Sequence, residues 1–497
     1  MNITQGIKLI SGPLLFLAIL SLADLSPGNP MVTRMAAVAA WMAVWWLTEA
    51  VHLAVTALLP VVLLPLLGIA ASGVIASQYM DSIIFLFIGG FILAFAIERW
   101  GLHKRIALKI LMVVGTKPSR ILLGVMLTSY LLSMWISNTA TVMMLLSAVF
   151  AIVNEMEQHL EEKDRKKVAA ALMIGLAYSA TIGGMGTLVG TPTNMIFARS
   201  YHEQFPDETP MNFANWFVVA FPVSLLFLSA AYFVLRSLFL RRVKDFSVPG
   251  LYFSGAYARL GRMSFEEKTV GAVFALTAML WFTRADIDFG AFVFTGWETV
   301  LVRQGLVPAG FLHDSTVALF MAVLLFLIPS RTERGRALMS WKEAQKLPFD
   351  IVLLFGGGFA LAKGVEISNL DEWLAGRLHF VSSMNIYMFL IVLCLVITII
   401  SEFASNVASI QLMIPVLISL QKDMQIHPLM LLVPATLAAS LGFMLPVATA
   451  PNTIVYGSKR VRVSDMMKAG LILDLAGILL ITLAMMFAGW QVSSLPR

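Results

Sequence analysis

Charged residues are scarce in this chain of 497 residues. They make up 13% of it, whereas hydrophobic residues make up 59% and the mean hydropathy is +0.84. An average soluble domain is about 25% charged, so a water-soluble globular protein is excluded. Short segments of alternating hydrophobicity, which a membrane β-barrel needs, are also lacking.

Cysteine and catalytic motifs are equally scarce. Cys394 is the single cysteine, which excludes a disulfide framework and a thiol pair for metal or redox chemistry. The sequence contains neither Gly-x-Ser-x-Gly nor His-Glu-x-x-His, so an enzyme is not expected. The net charge of +6 comes from basic residues in short loops, a positive-inside pattern that predicts an inner or plasma membrane protein with no nucleic-acid partner.

What the sequence has in abundance is long apolar runs. A hydrocarbon core about 30 Å thick is crossed by about 20 apolar residues in a helix. The first run shows no convincing signal-cleavage site and is predicted to remain a span. The sequence therefore predicts an all-α, multi-pass integral membrane protein, with apolar runs at 10–22, 35–47, 51–70, 317–328, 388–400 and 471–489.

Polar and helix-breaking residues interrupt four of the apolar segments. Such breaks are tolerated at membrane depth only where the freed backbone is buried in protein or lines a cavity. Two fall in each half of the chain, which indicates an internal repeat. The four breaks are Ser137-Asn138-Thr139, residues 183–194, Ser405-Asn406-Val407 and residues 445–452.

Direct alignment supports the repeat. Residues 85–102 and 353–370 share nine identities without a gap at an offset of 268, Phe87 matching Phe355. The same offset places Asn138 on Asn406. Further on, the breaks match only at an offset of 258.

The residue types at the four breaks are suited to binding a cation and an anion in the same region. Unwound backbone and Ser or Asn side chains offer oxygens to Na⁺, and helix N-termini attract anions without any Lys or Arg. A single Ser or Gly in a membrane helix more often serves packing, but two matched pairs favour a binding site. The four motif segments that contain the breaks are residues 133–142, 183–195, 401–410 and 443–453, and their only formal charge is Glu402. We expect Glu402 to cap a half-helix, direct ligation being the alternative.

At these motifs the sequence resembles the divalent anion/sodium symporters, the INDY-like di- and tricarboxylate transporters. The resemblance covers nearly the whole chain. It is carried by the segments 87–107, Ser137-Asn138-Thr139-Ala140-Thr141, Gly186-Thr187-Leu188-Val189-Gly190-Thr191-Pro192, Ser401-Glu402-Phe403 with Ser405-Asn406, and residues 443–449 with Pro451-Asn452.

The resemblance implies an elevator-type transporter with an inverted repeat, in which two re-entrant helical hairpins and broken helices slide against a dimeric scaffold. We expect the hairpins at 79–102 and 347–370. The implied division is scaffold 1–78, first transport repeat 79–212, scaffold 213–346, second transport repeat 347–465 and a C-terminal helix 466–497.

By position, the resemblance also implies the site residues. The coupling ion would be Na⁺, and the substrate carboxylates would contact residues of both halves. The implied Na⁺ ligands are Ser133, Ser137, Asn138 and Gly186 in the first half and Ser401, Ala404, Asn406 and Ala448 in the second; the implied substrate contacts are Asn138, Thr139, Asn406, Val407, Thr449 and Ala450.

The expected function is Na⁺-coupled transport of C4-dicarboxylates such as succinate, malate and fumarate, or of related di- and tricarboxylates such as citrate. A dicarboxylate exchanger of the same fold is an alternative, and an anion channel is less favoured because a duplicated site suits alternating access. Val407 and Ala450 depart from the family pattern, since Val407 replaces a threonine and so lacks its hydroxyl. Substrate choice and coupling mode therefore stay open at this point.

Overall fold

The computed structural model describes residues 3–157, 160–241, 243, 251–288, 293–378 and 384–492. The first half of the chain contains the helices α1 (Ile3–Leu22), α2 (Pro30–Thr48), α3 (Leu53–Thr56), α4 (Leu59–Leu66), α5 (Ser72–Ala76), α6 (Ser82–Arg99), α7 (Leu102–Val114), α8 (Pro118–Ser133), α9 (Asn138–Glu157), α10 (Glu162–Met185), α11 (Pro192–Gln204) and α12 (Phe213–Leu235), with a 3₁₀ turn at Ser77–Tyr79 and a π-helical turn at Arg236–Leu240.

The second half continues with α13 (Leu251–Arg259), α14 (Phe265–Phe282), α15 (Trp297–Arg303), α16 (Asp314–Leu327), α17 (Trp341–Ala344), α18 (Phe349–Ser368), α19 (Leu370–Leu378), α20 (Ile386–Phe403), α21 (Asn406–Met424), α22 (Leu429–Ala439), α23 (Ala450–Gly457) and α24 (Val463–Val492). Two short strands, β1 (Ile287–Asp288) and β2 (Val293–Phe294), pair antiparallel. Within the described ranges, nine helical segments are long and apolar enough to cross a membrane.

Local sequence explains where the helices near the breaks begin. Pro118, Pro192 and Pro451 occupy the first turn of α8, α11 and α23, where a missing N–H costs nothing. The Asp81 carboxylate caps α6 by accepting the N–H of Ile83 at 2.8 Å, which fits the preference of helix N-termini for Asp.

The apolar core is divided into two clusters. The larger one surrounds α10, whose residues 168–185 are all buried. The smaller one is formed by α2, α4 and one face of α18, which contributes Leu361 and Val365. Helix α1, by contrast, is mostly exposed on the outside of the protein, as a lipid-facing span is.

The predicted positions of the two hairpins are wrong. Residues 82–99 and 349–368 each form one continuous helix, α6 and α18. Their matched glycines serve helix packing: a Cβ on Gly89 would lie 2.7 Å from Ala318, and a Cβ on Gly357 would lie 2.5 Å from Ala57. Glycine pairs that allow close helix approach and glycine pairs that form turns look alike in sequence.

The helix–turn–helix units lie further along the chain, at α8–α9 and α20–α21. Their turns span residues 134–137 and 404–405. Both helices of each unit pack against the next helix, α10 or α22. These two turns carry the Ser-Asn motifs, so the repeated motif and the repeated structure coincide.

Candidate functional site

The first part of the site forms where α8 ends and α9 begins. The buried hydroxyl of Ser133 donates to Oδ1 of Asn138 at 2.7 Å. Ser137 accepts the backbone N–H of Ala140 at 3.3 Å, which satisfies one free donor in the first turn of α9. The turn therefore gathers uncharged oxygens of Ser133 and Asn138 at one point.

The second half repeats this arrangement. The Ser401 hydroxyl, also fully buried, lies 2.7 Å from Oδ1 of Asn406 and 2.7 Å from the carbonyl oxygen of Ala439. Ala404 adopts an extended backbone at the end of α20, and its N–H donates the last helical hydrogen bond to the Ile400 carbonyl at 2.9 Å. The same Ser-to-Asn contact thus occurs in both halves at the same sequence spacing.

Two asparagines hold the breaks that follow α10 and α22. The Asn194 amide donates to the carbonyl oxygens of Gly184 and Thr187, ten and seven residues earlier, at 3.0 and 2.7 Å. The Asn452 amide donates to carbonyl oxygens at the same two separations, at 3.0 and 3.1 Å. Buried carbonyl groups need such partners, so these side chains replace the hydrogen bonds that the broken helices lack.

Sequence reasoning assigned no role to Asn194 or Asn452. The signal was nevertheless present, because the two residues match at the offset of 258 at which the breaks align. An amide inside an apolar segment has to find partners. The combination of that rule with the repeat would have selected both residues.

Glycines let the breaks approach the Ser-Asn turns. A Cβ on Gly184 would lie 2.4 Å from Oδ1 of Asn138. At the matching position, a Cβ on Gly442 would lie 3.4 Å from Ala448, 3.6 Å from Oδ1 of Asn406 and 3.6 Å from the backbone oxygen of Ser401. Three predicted Na⁺ ligands of the second half therefore converge around one glycine.

In the first half, the glycine that contacts Asn138 is not the glycine that was predicted as a Na⁺ ligand. Gly184 is the glycine that touches Asn138, whereas the predicted ligand Gly186 lies two residues further along the break. A Cβ on Gly186 would lie 3.0 Å from the hydroxyl of Ser224 on α12. The structure therefore places Gly186 against α12 as well as in the break.

The two halves interlock at the site. Helix α11 packs against α21 and α22 of the second half, and α23 packs against α9 and α10 of the first. The hydroxyl groups of Thr193 and Ser440 are 3.3 Å apart. The two Ser-Asn turns and the two breaks thus belong to one cluster of helices.

The predicted substrate contacts lie at the starts of helices in this cluster. Thr139 and Val407 are second residues of α9 and α21 and are partly buried. Thr449 caps α23 by accepting the N–H of Asn452 at 3.3 Å, and Ala450 begins that helix and is exposed. Helix N-termini provide free N–H groups and a positive dipole end, which suit a carboxylate.

Thr191 is a further residue that sequence reasoning missed. It precedes α11 as Thr449 precedes α23, at the offset of 258. Its hydroxyl makes no hydrogen bond with any described residue, although the residue is 5% exposed. It is therefore the first-half counterpart of a predicted substrate contact.

Comparison with known proteins identifies the family. The sodium:sulfate symporter transmembrane region matches residues 9–494. The chain belongs to the sodium:sulfate symporter family. It is therefore a multi-pass integral membrane transporter of the plasma membrane, as predicted, and not an enzyme.

Two curated relatives cover almost the whole chain. The sodium-dependent dicarboxylate transporter SdcS of Staphylococcus saprophyticus is 36% identical over 493 residues, which is 98% of this chain and 92% of that protein. SdcS of Staphylococcus aureus is 37% identical over 490 residues, 97% of this chain and 91% of that protein.

Two solved transporter structures share the fold at low sequence identity. MtrF of Neisseria gonorrhoeae, described as one of a class of antimetabolite efflux pumps, has a TM-score of 0.53 at 11% identity and covers 82% of both chains. The YdaH transporter of Alcanivorax borkumensis has a TM-score of 0.52 at 12% identity and covers 83% of this chain and 86% of that one.

Within this sodium:sulfate symporter family member, Glu402 supplies the one formal charge in the four motif segments. Its two carboxylate oxygens accept the backbone N–H groups of Met444 and Leu445 at 2.7 and 2.9 Å. Glu402, in the last turn of α20, thus holds the second break. Met444 and Leu445 belong to no helix, so this contact is not the half-helix cap that was expected.

Proposed function

We propose that this family member couples Na⁺ to the transport of C4-dicarboxylates such as succinate, malate and fumarate, or of related di- and tricarboxylates. The observation that carries the proposal is the duplicated Ser-Asn turn, packed in both halves against a break held by an asparagine. The relatives named sodium-dependent dicarboxylate transporters support both the ion and the substrate class. The exchanger stays the alternative, and the anion channel is less favoured.

Each Ser-Asn turn would hold one Na⁺. The amide oxygen of Asn138 lies 2.7 Å from the hydroxyl of Ser133, and the amide oxygen of Asn406 lies 2.7 Å from the hydroxyl of Ser401. All four oxygens are hard, uncharged ligands. The remaining predicted ligands are backbone or hydroxyl oxygens of the turns and breaks: Ser137, Gly186, Ala404 and Ala448. Substrate carboxylates would then face the N-termini of α9, α11, α21 and α23.

Uptake of labelled succinate into proteoliposomes tests the function. Stimulation by an inward Na⁺ gradient indicates symport, whereas dependence on internal dicarboxylate indicates exchange. A passive current without saturation would indicate a channel.

Substitution of either asparagine tests the ion sites. Asn138→Ala and Asn406→Ala should both raise the Na⁺ concentration required for half-maximal uptake, because a methyl group cannot replace a carbonyl ligand. Thr436→Val is the matched control, since its buried hydroxyl bonds only to its own helical turn, at Leu432. If both alanine variants keep the Na⁺ dependence of the unmodified protein, the assignment is wrong.

We further propose an elevator motion with a revised division of the chain. Helix α6 packs mainly on α16 and α14. Helix α18 packs mainly on α2, α3 and α4 together, with a smaller contact to α21. Packing therefore favours the assignment of both helices to the static scaffold, rather than to the transport repeats 79–212 and 347–465. The moving unit would contain residues 118–204 and 386–457.

Cross-linking tests this division. After Cys394 is replaced, cysteines at Thr193 and Ser440 lie within the proposed moving unit, and a cross-link there should spare transport. Cysteines at Gly358 and Gln411, which contact each other between α18 and α21, join the two units, and a short thiol cross-linker there should arrest transport. Full transport with a verified link of the second kind would exclude the revised division.

The homodimer expected from the resemblance belongs to the same proposal. A static scaffold needs an anchor while the other unit moves, and a second copy of the scaffold provides one. Light scattering of the detergent-solubilised protein measures the mass. A protein mass of one chain would contradict the dimer.

A further inference from the structure

A cavity of about 510 Å³ lies between the start of α8 and the end of α12, where α12 continues into the π-helical turn Arg236–Leu240. A cavity of this size can hold a small organic group. Among the described residues that line it, none is acidic and two are arginines. The lining includes Pro118, Ser119, Phe233, Arg236, Leu240 and Arg241.

The π-helical turn brings the two arginines to one side of the chain. In an α-helix a turn takes 3.6 residues, so side chains five residues apart point in different directions. A π turn closes its hydrogen bond over five residues, which brings Arg236 and Arg241 close to one face. Both arginines are exposed, and neither has a hydrogen-bond or ion-pair partner among the described residues. Within that part of the chain, their two positive charges are therefore not compensated.

The start of α8 adds hydrogen-bond donors to the same cavity. The helix begins with Pro118 and has no side-chain cap, so the backbone N–H of Ser119 lacks a helical partner. Ser119 lines the cavity, and its hydroxyl makes no hydrogen bond with a described residue. Free N–H groups and the positive dipole end of a helix attract phosphate groups. Both sides of the cavity therefore favour an anion.

Contacts among three neighbouring helices place this cavity at one surface of the membrane. Helix α10 packs against both α8 and α12. The Trp216 indole, near the start of α12, donates to the Met185 carbonyl at the end of α10 at 3.0 Å. The Thr187 hydroxyl, just beyond α10, donates to the Met134 carbonyl just beyond α8. The start of α8 and the end of α12 therefore lie together at the opposite surface, where the apolar segment Phe213–Leu240 ends, and its basic residues predict the cytoplasmic side.

An exposed apolar stripe of α12 leads to the cavity. Leu226 and Phe233 are seven residues apart, so they lie on the same face of the helix, and they are 60% and 61% exposed. On a membrane-spanning helix such a face contacts lipid acyl chains. Phe233 also lines the cavity, so the apolar stripe and the arginines are continuous. This arrangement matches a phospholipid, whose phosphate lies at the surface and whose chains run along the helix.

A second cavity, of about 460 Å³, provides a contrast at the same surface. It lies at the start of α10 and contains both cations and carboxylates. Arg460 pairs there with Glu157, and Arg462 pairs with Asp465 at 2.8 Å. Because opposite charges in contact offset each other, the chain itself occupies the cations of this second cavity. The cavity between α8 and α12 has no such carboxylate among its described lining residues.

We propose that the cavity between α8 and α12 binds the headgroup of an anionic phospholipid of the cytoplasmic leaflet. Arg236 and Arg241 hold the phosphate oxygens, for which the forked guanidinium group is suited, and the start of α8 donates from the other side. The acyl chains follow Leu226 and Phe233. Basic pockets between membrane helices on the cytoplasmic side are a known form of lipid recognition. The site is separate from the proposed Na⁺ sites, and its test requires no transport.

Titration of the purified full-length protein in detergent with phosphatidylglycerol tests the site, with native mass spectrometry as the measurement. Arg236→Gln and Arg241→Gln should each raise the Kd for phosphatidylglycerol about fivefold, and the double variant should raise it about 30-fold. Phosphatidylcholine with the same acyl chains is the comparison, because its headgroup has no net charge. Its Kd should change less than about twofold in the same variants.

Two matched double variants separate this site from general surface charge. Arg236→Lys with Arg241→Lys keeps both charges and should retain the affinity for phosphatidylglycerol to within about fivefold. Lys166→Gln with Lys459→Gln removes two exposed charges from the second cavity and should leave the Kd within about twofold. An equal loss in this control and in the double glutamine variant at Arg236 and Arg241 would overturn the site.

Hydrogen exchange locates the bound lipid. Phosphatidylglycerol should slow the exchange of amides in residues 119–121 and 236–241 of the unmodified protein, and not in the double glutamine variant. Inorganic phosphate at millimolar concentration should not protect these amides, because it lacks the acyl chains. Equal protection by inorganic phosphate would assign the cavity to a soluble anion and reject the lipid. Unchanged lipid affinity in the double glutamine variant, or no protection of either segment, would also overturn the proposal.

Discussion

The two halves of the molecule build the same site with different chemistry. Both join Ser to Asn at 2.7 Å, and both hold a break with an asparagine amide at separations of ten and seven residues. In the first half, the Thr187 hydroxyl then bonds the Met134 carbonyl oxygen. In the second half, the matching positions are Leu445 and Glu402, and the contact runs from a backbone N–H to a carboxylate.

In each break, an aromatic side chain donates a hydrogen bond to a backbone carbonyl oxygen. The Trp216 indole donates to the carbonyl of Met185 at 3.0 Å, and the Tyr178 hydroxyl donates to the carbonyl of Phe443, which matches Met185 at the offset of 258. The difference between the halves is therefore the buried carboxylate of Glu402, which accepts the N–H groups of Met444 and Leu445. A repeated backbone geometry can be maintained by unlike side chains, provided that each buried polar group finds a partner.

The largest expected difference between the halves concerns the two break asparagines. Asn194→Leu removes the amide donor of the Gly184 and Thr187 carbonyls, at 3.0 and 2.7 Å, while the Met185 carbonyl keeps its Trp216 donor. Each unsatisfied buried group costs about 1–3 kcal/mol. Asn452→Leu loses two such contacts, and it also removes an amide oxygen that is buried without a partner. The apparent Tm in detergent should fall more for Asn194→Leu. An equal fall in both variants would mean that the halves are equivalent.

The next largest difference is expected in how alanine substitution of the matched glycines Gly184 and Gly442 changes the Na⁺ requirement. Alanine at 184 would collide with the Asn138 amide, whereas alanine at 442 would make ordinary contacts of 3.4 Å or more. Overpacking costs about 1–3 kcal/mol, which corresponds to about 5- to 150-fold. Gly184→Ala should therefore raise the Na⁺ concentration for half-maximal uptake by at least about fivefold, and Gly442→Ala should change it little. The comparison fails if the two alanine variants have the same Na⁺ dependence.

Unequal substrate contacts are expected at Thr139 and Val407. A hydrogen bond to a charged group is worth about 1.5–3 kcal/mol, so Thr139→Val should weaken dicarboxylate binding by at least about tenfold at saturating Na⁺. Val407→Ala removes only apolar contacts and should cost less, and Val407→Thr should tighten binding. Substrate affinities of the three variants decide the question, and equal losses in Thr139→Val and Val407→Ala would mean that the halves share the substrate equally.

The smallest effect is expected at Arg199, which only the first half contains. Its buried guanidinium on α11 pairs with Asp81 of α6 at 2.9 Å and lies 3.8 Å above the ring of Phe359 on α18, so it joins the proposed moving and static units. Asparagine at 81 keeps an oxygen acceptor and Arg199 keeps its pair with Glu203 at 2.8 Å, so Asp81→Asn weakens the contact by about 1 kcal/mol, the net contribution of a typical hydrogen bond. It should therefore raise the maximal uptake rate by about two- to fivefold.

Glu203→Gln is the control for this pair, because Glu203 and Arg199 lie on the same helix. Its uptake rate should stay unchanged. An identical response of both variants would show that the bridge between α11 and α6 has no special role in the motion.

The two Ser-Asn turns could be predicted from the sequence, because the same spacing between local motifs occurs in both halves. The offset of 268 located both Ser-Asn turns, and the structure brings Ser133 to Asn138 and Ser401 to Asn406. The same alignment misplaced the hairpins, because the matched glycines of α6 and α18 face neighbouring helices. Which surface a glycine faces depends on residues far away in the chain, such as Ala318 and Ala57.

The sequence by itself determined that this protein is a helical, multi-pass membrane transporter with a duplicated Ser-Asn motif. Apolar length, polar breaks and repeated spacing are local properties, and the bilayer imposes the rest, since every backbone group within it must be paired. Only the tertiary structure decided which groups hold the breaks open. The contacts of the Asn194 and Asn452 amides, and those of Glu402 with the N–H groups of Met444 and Leu445, depend on segments meeting in space. Burial there requires a partner for each polar group.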